Sequence, residues 1–201
     1  MITIQPYIQA FKTIFPELEN ETPWEVTQAA QLIIAKKIKS LGADYRIQDN
    51  VAIHKDARVE EHVILKGPII VSAGCFIGSH AYLRNGVFLD KQVSIGPGCE
   101  IKSSYLFSNS ALAHFNFVGD SIIGSQVNME AGSVIANHYN ERKEKVIKIT
   151  VEGNQISTEI DKFGALVGDH TKIGANAVLS PGTLLLPKSI VKRLELIEQN
   201  Y

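Results

Sequence analysis

Arg84 and Lys102 stand eighteen residues apart, and His114 follows in the run Ala111-Leu112-Ala113-His114-Phe115-Asn116-Phe117-Val118-Gly119-Asp120. Two cations brought into register repel each other unless an anion lies between them. Phosphate is the anion that neighbouring guanidinium and ammonium groups hold best. Two solvated surface charges satisfy the same spacing. A neutral imidazole in a partly apolar cleft can act as a general base near pH 7, although a lone histidine is equally at home as a structural or exposed residue. His54, His62, His80, His114, His138 and His170 give no close pair at ligand spacing on one face, so no metal is expected. No Ser/His/Asp elbow, Walker-type phosphate loop or G-x-G-x-x-G turn is present.

The element that must position these residues is a repeat of six. From Ile47, steps of six fall on Ile53, Val59, Leu65, Val71, Ile77, Leu83, Leu89, Ile95, Ile101, Phe107 and Ala113. Four residues after each come Val51, Ala57, Val63, Ile69, Cys75, Ala81, Val87, Val93, Cys99, Tyr105, Ala111 and Phe117. All are apolar. A period of six is neither helical nor simple alternation; it suits a parallel β-helix with about three hexads per coil. The first and fifth residues of each hexad then point inward, Cys75 and Cys99 are reduced core thiols, and residues eighteen apart stack at roughly 4.8 Å. Arg84, Lys102 and His114 take outward positions.

The repeat breaks over 114–122, resumes at Ile123, Met129 and Ile135, breaks again over 138–164, and resumes at Val167, Ile173, Leu179 and Leu185. Such breaks often mark loops on a binding face. In the second, the alternation of 145–151, a turn at Glu152-Gly153-Asn154 and a return over 155–158 predict a protruding β-hairpin. Thr22-Pro23-Trp24-Glu25 is a capping box with proline at the first helical position. Val26, Ala30, Ile33, Ile34, Ile38 and Leu41 make one apolar face behind it, and Gly42 stops the helix. A shorter helix is expected over 6–15. Ile190, Leu194 and Ile197 predict a C-terminal helix over 189–199. The domain reading is an N-terminal helical extension at 1–46, a β-helix at 47–187 and a C-terminal helix at 188–201.

Composition bounds the partners. Hydrophobic residues are 45% and charged residues 20%, and 20 Lys plus Arg against 21 Asp plus Glu leave a net charge of -1. Nothing there favours nucleic acid or a membrane surface. No apolar run approaches the roughly 18 residues of a membrane span. Residues 1–15 carry only Lys12 ahead of any apolar stretch, so no signal peptide is read and a cytoplasmic location is expected.

The run from His114 to Asp120, with Ile123-Gly124-Ser125-Gln126-Val127-Asn128-Met129-Glu130-Ala131-Gly132-Ser133-Val134-Ile135-Ala136-Asn137, resembles a family signature. That signature is H-L-[ST]-Y-[LIV]-G-D followed by [IV]-G-x-x-[VC]-N-[IF]-G-A-G-T-[IV]-x-[AC]-N. It belongs to the C-terminal acetyltransferase domain of bifunctional N-acetylglucosamine-1-phosphate uridylyltransferases and related sugar-1-phosphate nucleotidylyltransferases. Lys162-Phe163-Gly164-Ala165-Leu166-Val167-Gly168-Asp169 is similar to the second group. The resemblance, over about 22–187, implies a left-handed parallel β-helix, a homotrimer with sites between chains, and acetyl-CoA as co-substrate. It implies that His114 is the general base, that Arg84, Lys102, Phe117, Asn128, Asn137 and Lys162 bind substrate, and that Ala131 and Ala175 contact coenzyme A. Phe117 stands where the family has tyrosine, and Ala175 where it commonly has serine. Nothing in the chain resembles the nucleotidylyltransferase's Gly-rich loop.

The expected function is therefore an acetyl-CoA-dependent N-acetyltransferase acting on an amino-sugar phosphate or nucleotide-linked amino sugar, without a nucleotidylyltransferase domain. The alternative is a non-catalytic trimeric module that binds a sugar nucleotide or scaffolds a separate nucleotidylyltransferase.

Overall fold

A computed structural model describes residues 2–151 and 153–198. The chain winds as a parallel β-solenoid with three faces. One, here the covered face, carries Val51–His54, Ile69–Val71, 87–89, 104–106, Ile122–Ile123, Ala165–Val167 and Thr183–Leu185. The second carries Ile64–Lys66, 82–84, 100–102, Phe117–Gly119, Val134–Ile135, Val178–Leu179 and Leu196–Ile197. The third, a seven-stranded sheet, runs from Arg58–Val59 to Ile190–Val191. Strands this short need a sharp corner after each, and corners recur in the left-handed region. Between the third and second faces that residue is in turn His62, His80, Gly98, Phe115, Gly132, Asn176 and Leu194, with φ from 53° to 70°. A side chain there costs about 1–2 kcal/mol against glycine, which the stacked coil must supply.

The six-residue register holds the core. Val71, Ile77, Leu83, Leu89, Ile95 and Ile101 are buried in it, with Cys75 and Cys99 as free thiols among them. Burial pushes the Cys75 thiol up to about 11. The phase slips earlier than the sequence suggests. Opposite Asn85-Gly86 the next coil has only Ser103, and the pairing shifts between Arg84 and Val87. Leu106, Leu112 and Val118 therefore turn inward. Tyr105 and Phe107, expected inside, lie outside the coil in a second cluster, and Phe117 faces outward on the second face. Ile47 also departs, lying half-exposed on an antiparallel edge strand opposite Ala52. After the slip several inward fifth positions are polar and satisfied. Ser110 Oγ donates to Gly124 O at 2.6 Å and accepts the Val127 N–H at 3.0 Å; Asn116 Nδ2 donates to Ser133 Oγ at 2.8 Å.

The covered face is apolar on both sides. Ile70, Phe88, Tyr105, Ile122 and Leu166 stand in register on its outer surface. The N-terminal segment lies over them. It contains α1 (Phe11–Ile14), α2 (Pro23–Gln28) and α3 (Ala30–Ile38). Phe15 packs edge-on against Phe88 and Tyr105, at centroid distances of 5.1 and 5.4 Å. The capping box forms, with Thr22 N–H donating to Glu25 Oε2 at 2.8 Å, but the expected single helix breaks at Ala29. The helix expected over 6–15 is one turn.

The C-terminal helix is absent from the described residues. Ile190–Val191 pairs with Lys172–Ile173 and Leu196–Ile197 with Val178–Leu179, so the solenoid continues past 187. The helical spacing of Ile190, Leu194 and Ile197 was the wrong period. Leu185, Val191 and Ile197 extend the step of six, and Val191 is buried while Ile190 and Leu194 face outward. Gln199 lies outside the described residues. The hairpin forms between Lys148–Val151 and Asn154–Ser157, and its base is docked: Ile147 and Ile149 are fully buried against Gly182.

Gly86 fixes the seat of α3. Its φ is 91°, and a Cβ there would lie 2.7 Å from both Ala30 C and Gln31 N. Gly86→Ala should cost about 2–4 kcal/mol in denaturant unfolding, from left-handed strain plus displacement of a helix backbone. Gly42→Ala, where nothing lies within 4 Å of the added carbon, should stay within about 0.5 kcal/mol of the parent.

Candidate functional site

His114 sits at the corner between the third and second faces. Corner amides link coil to coil there. Gly132 N–H donates to His114 O at 2.8 Å, Asn176 N–H to Ala131 O at 3.0 Å, and Leu194 N–H to Ala175 O at 3.0 Å. His114, Ala131, Ala175 and Arg193 are therefore successive steps of one column, roughly 4.8 Å apart. Three residues nominated from sequence meet here. The His114 side chain is exposed and makes no hydrogen bond or ion pair within the described residues. Phe115 beside it is 72% exposed, its ring lying over Gly98. The two alanines add only methyl groups to the column beyond His114.

A second group forms at the opposite edge of the second face. Arg84 and Lys102 are in register, as the spacing requires, but each has its own carboxylate. Arg84 Nε and Nη2 donate to Glu100 Oε1 at 2.9 and 2.7 Å. Lys102 Nζ donates to Asp120 Oδ1 and Oδ2 at 2.9 and 2.7 Å. Each of the stacked cations thus has a carboxylate of its own, Glu100 for Arg84 and Asp120 for Lys102. Asn137, buried, donates from Nδ2 to Asp120 Oδ2. Phe163 N–H donates to Asn137 O at 3.0 Å, which sets the exposed Lys162 beside this network. Trp24 packs edge-on to Phe163 at 6.0 Å, so the helical extension buttresses the same edge. Phe117 lies on the second face between the two groups.

An open cleft of about 670 Å³ runs up the third face from Asn128 past Lys172 to Lys192 and Arg193. Asn128 faces outward there, in register with Lys172. Glu130 closes the upper end. Arg193 Nε and Nη2 donate to its two oxygens at 2.8 Å each, and Ala175 N–H donates to Oε2 at 2.9 Å. The hydrogen bonds from Arg193 and the Ala175 amide bring the Glu130 carboxyl down to about 2.

Sequence reasoning missed the carboxylates. Glu100, Asp120 and Glu130 are recognisable only once the register says which cation each one meets. The histidine reading also needs correcting. His62 and His80 are eighteen apart and stack as parallel rings 5.3 Å between centroids.

With this geometry in view, the chain can be set beside known proteins. The GMPPB C-terminal domain family matches residues 65–163. A bifunctional sugar-1-phosphate nucleotidylyltransferase/acetyltransferase of Sulfurisphaera tokodaii is 32% identical over 165 residues, covering 80% of this chain and 41% of the relative. The bifunctional protein GlmU of Methanococcus vannielii is 29% identical over 175 residues, covering 84% of this chain and 41% of that protein. The chain thus spans about two fifths of the length of these relatives. The solved perosamine N-acetyltransferase of Caulobacter crescentus, a histidine-to-asparagine variant with CoA and GDP-perosamine, is 17% identical, covering 69% of this chain and 49% of that one. The TM-score of that match is 0.28. The solenoid is built of hexapeptide repeats and is similar in sequence to part of these bifunctional proteins.

Two ion pairs of different burial should behave differently. Lys102 and Asp120 are 14% and 8% exposed, whereas Arg84 and Glu100 are 28% and 35%. Asp120→Asn strands a mostly buried ammonium and should cost about 2–4 kcal/mol in chemical unfolding. Glu100→Gln should cost less than about 1 kcal/mol. Glu130 should titrate near pH 2 by carboxyl-resolved NMR. Because its folded pKa is lowered, whatever it adds to stability is present above its ordinary range near 4.5 and is lost as pH falls towards about 2.

Proposed function

We propose that the protein is an acetyl-CoA-dependent N-acetyltransferase acting on an amino-sugar phosphate or a nucleotide-linked amino sugar, working as a left-handed, homotrimeric β-helix. One observation carries this reading: His114, exposed and without a side-chain hydrogen bond or ion pair among the described residues, stacks in one column with Ala131 and Ala175. The acyl donor runs along that column. The substrate amine attacks the thioester carbonyl, the C–S bond breaks, the thiolate leaves, and His114 accepts the amine proton. Backbone N–H groups of the column stabilise the oxyanion.

The sugar spans the second face across Phe117 towards the Lys102–Asp120–Asn137 network. Neutralised pairs suit sugar hydroxyls better than phosphate, so the phosphate falls to Lys162, which is exposed and without a charged partner among the described residues. Asn128 lies across the corner on the third face and would meet substrate held between two chains. The outward Ile190, Leu194 and Leu196, at 74%, 78% and 56% exposure, support burial against another chain.

A second reading is favoured by one observation, the Glu130 carboxylate already holding the Ala175 amide. It makes the chain a non-catalytic trimeric module beside a separate nucleotidylyltransferase.

His114→Ala should leave the fold intact and lower acetyl transfer about 10²–10⁴-fold, measured as thiol release with acetyl-CoA and a panel of amino-sugar phosphates. Full turnover by the variant would remove His114 as the base. Absence of turnover by the parent across the panel, with sugar phosphates still binding, would favour the module. Light scattering should give a trimer at micromolar concentration, and a stable monomer would remove the intersubunit site.

A further inference from the structure

Glu130 is an odd residue for its place. The run that this sequence resembles has glycine there, between the asparagine and alanine positions filled here by Asn128 and Ala131. The side chain does not stay on its own coil. It accepts the amide of Ala175 on the next coil at 2.9 Å and reaches Arg193 on the coil beyond, with two contacts of 2.8 Å. The carboxylate thus crosses the upper half of the column that begins at His114. It satisfies a backbone donor that would otherwise face an incoming ligand.

We propose that Glu130, clasped by Arg193, competes with the acyl donor for the Ala175 amide and thereby sets the donor's affinity. This rests on the reading of the column as the donor's path. The bridge is displaceable. Arg193 and Glu130 are 73% and 42% exposed, and water competes for an ion pair at that exposure, so a ligand that brings its own contacts can displace it. A thioester or amide carbonyl of the donor offers the Ala175 N–H the same kind of acceptor that Glu130 now supplies. Displacement frees the Arg193 guanidinium beside Lys172 and Lys192 on the cleft wall, a cationic cluster suited to the donor's phosphates. Glu130 is a specificity-determining residue on this account and takes no part in the proton transfer assigned to His114.

The test is calorimetric titration of the full chain with coenzyme A, using the parent, Glu130→Ala and Arg193→Ala. Both side chains are at the surface, and thermal melting checks that each variant is folded. Glu130→Ala should bind coenzyme A about three- to tenfold more tightly than the parent, because it has no carboxylate to displace. Arg193→Ala keeps Glu130 on the Ala175 amide, lacks the guanidinium for the donor's phosphates, and should bind no more tightly than the parent. In steady-state assays Glu130→Ala should lower KM for acetyl-CoA with kcat little changed. Binding by Glu130→Ala alone, with none detectable in the parent, would support the competition most strongly. Equal or weaker binding by Glu130→Ala would overturn it while leaving the donor path standing. Absence of binding in all three chains would overturn the donor path itself, and the competition with it.

Discussion

Every coil of the solenoid must lie in register on the one below, at the spacing of hydrogen-bonded strands. That constraint decides where the chain can be irregular. A residue gained or lost on a face would turn the inward row outward for all later coils. The changes in length are instead absorbed at one edge, between the second and covered faces. Asn85-Gly86 gives way there to Ser103, then to Asp120 at φ 45°, then to the insertion over 138–162, then to Gly182. The helical extension lies beside this edge, with α3 against Gly86 and Trp24 against Phe163. The opposite corner keeps its regular step, and His114, Ala131, Ala175 and Arg193 stack there without interruption.

The two corners consequently suit different chemistry. The irregular edge brings side chains from several coils together, and its charges are locally balanced: Lys102 by Asp120, with Asn137 completing the acid's partners. The regular corner offers backbone donors at even spacing beside one free imidazole. Such an arrangement matches an extended ligand along the axis and a compact polar ligand across the face. Glu130 is the exception on the regular corner, since its side chain adds a bridge across coils that the backbone already links.

The period of six made the solenoid legible, together with the outward setting of His114 and the stacking of Arg84 on Lys102. Periodicity alone could not locate the phase slips, because Tyr105-Leu106-Phe107 is apolar throughout. Which of the three points inward depends on whether the corner before them holds one residue or two. The covered face made this worse, for its outer surface is as hydrophobic as its inner one and resembles core in sequence. The C-terminal segment failed for a related reason: Ile190, Leu194 and Ile197 match a helix, while Val191 and Ile197 match the coil, and the coil below supplied the pairing partner that decided it. Carboxylates such as Asp120 and Glu130 carry no local signal, and their partners lie 17 to 63 residues away.

The central claim is that the corner column above His114 is a ligand path. Hydrogen exchange with and without saturating coenzyme A tests it at residue level. The account predicts slower exchange around Gly132, Ala175 and Leu194, with the helix-covered face unchanged. Protection confined to the edge at Asp120 and Lys162, or spread over the N-terminal helices with none at the column, would contradict it.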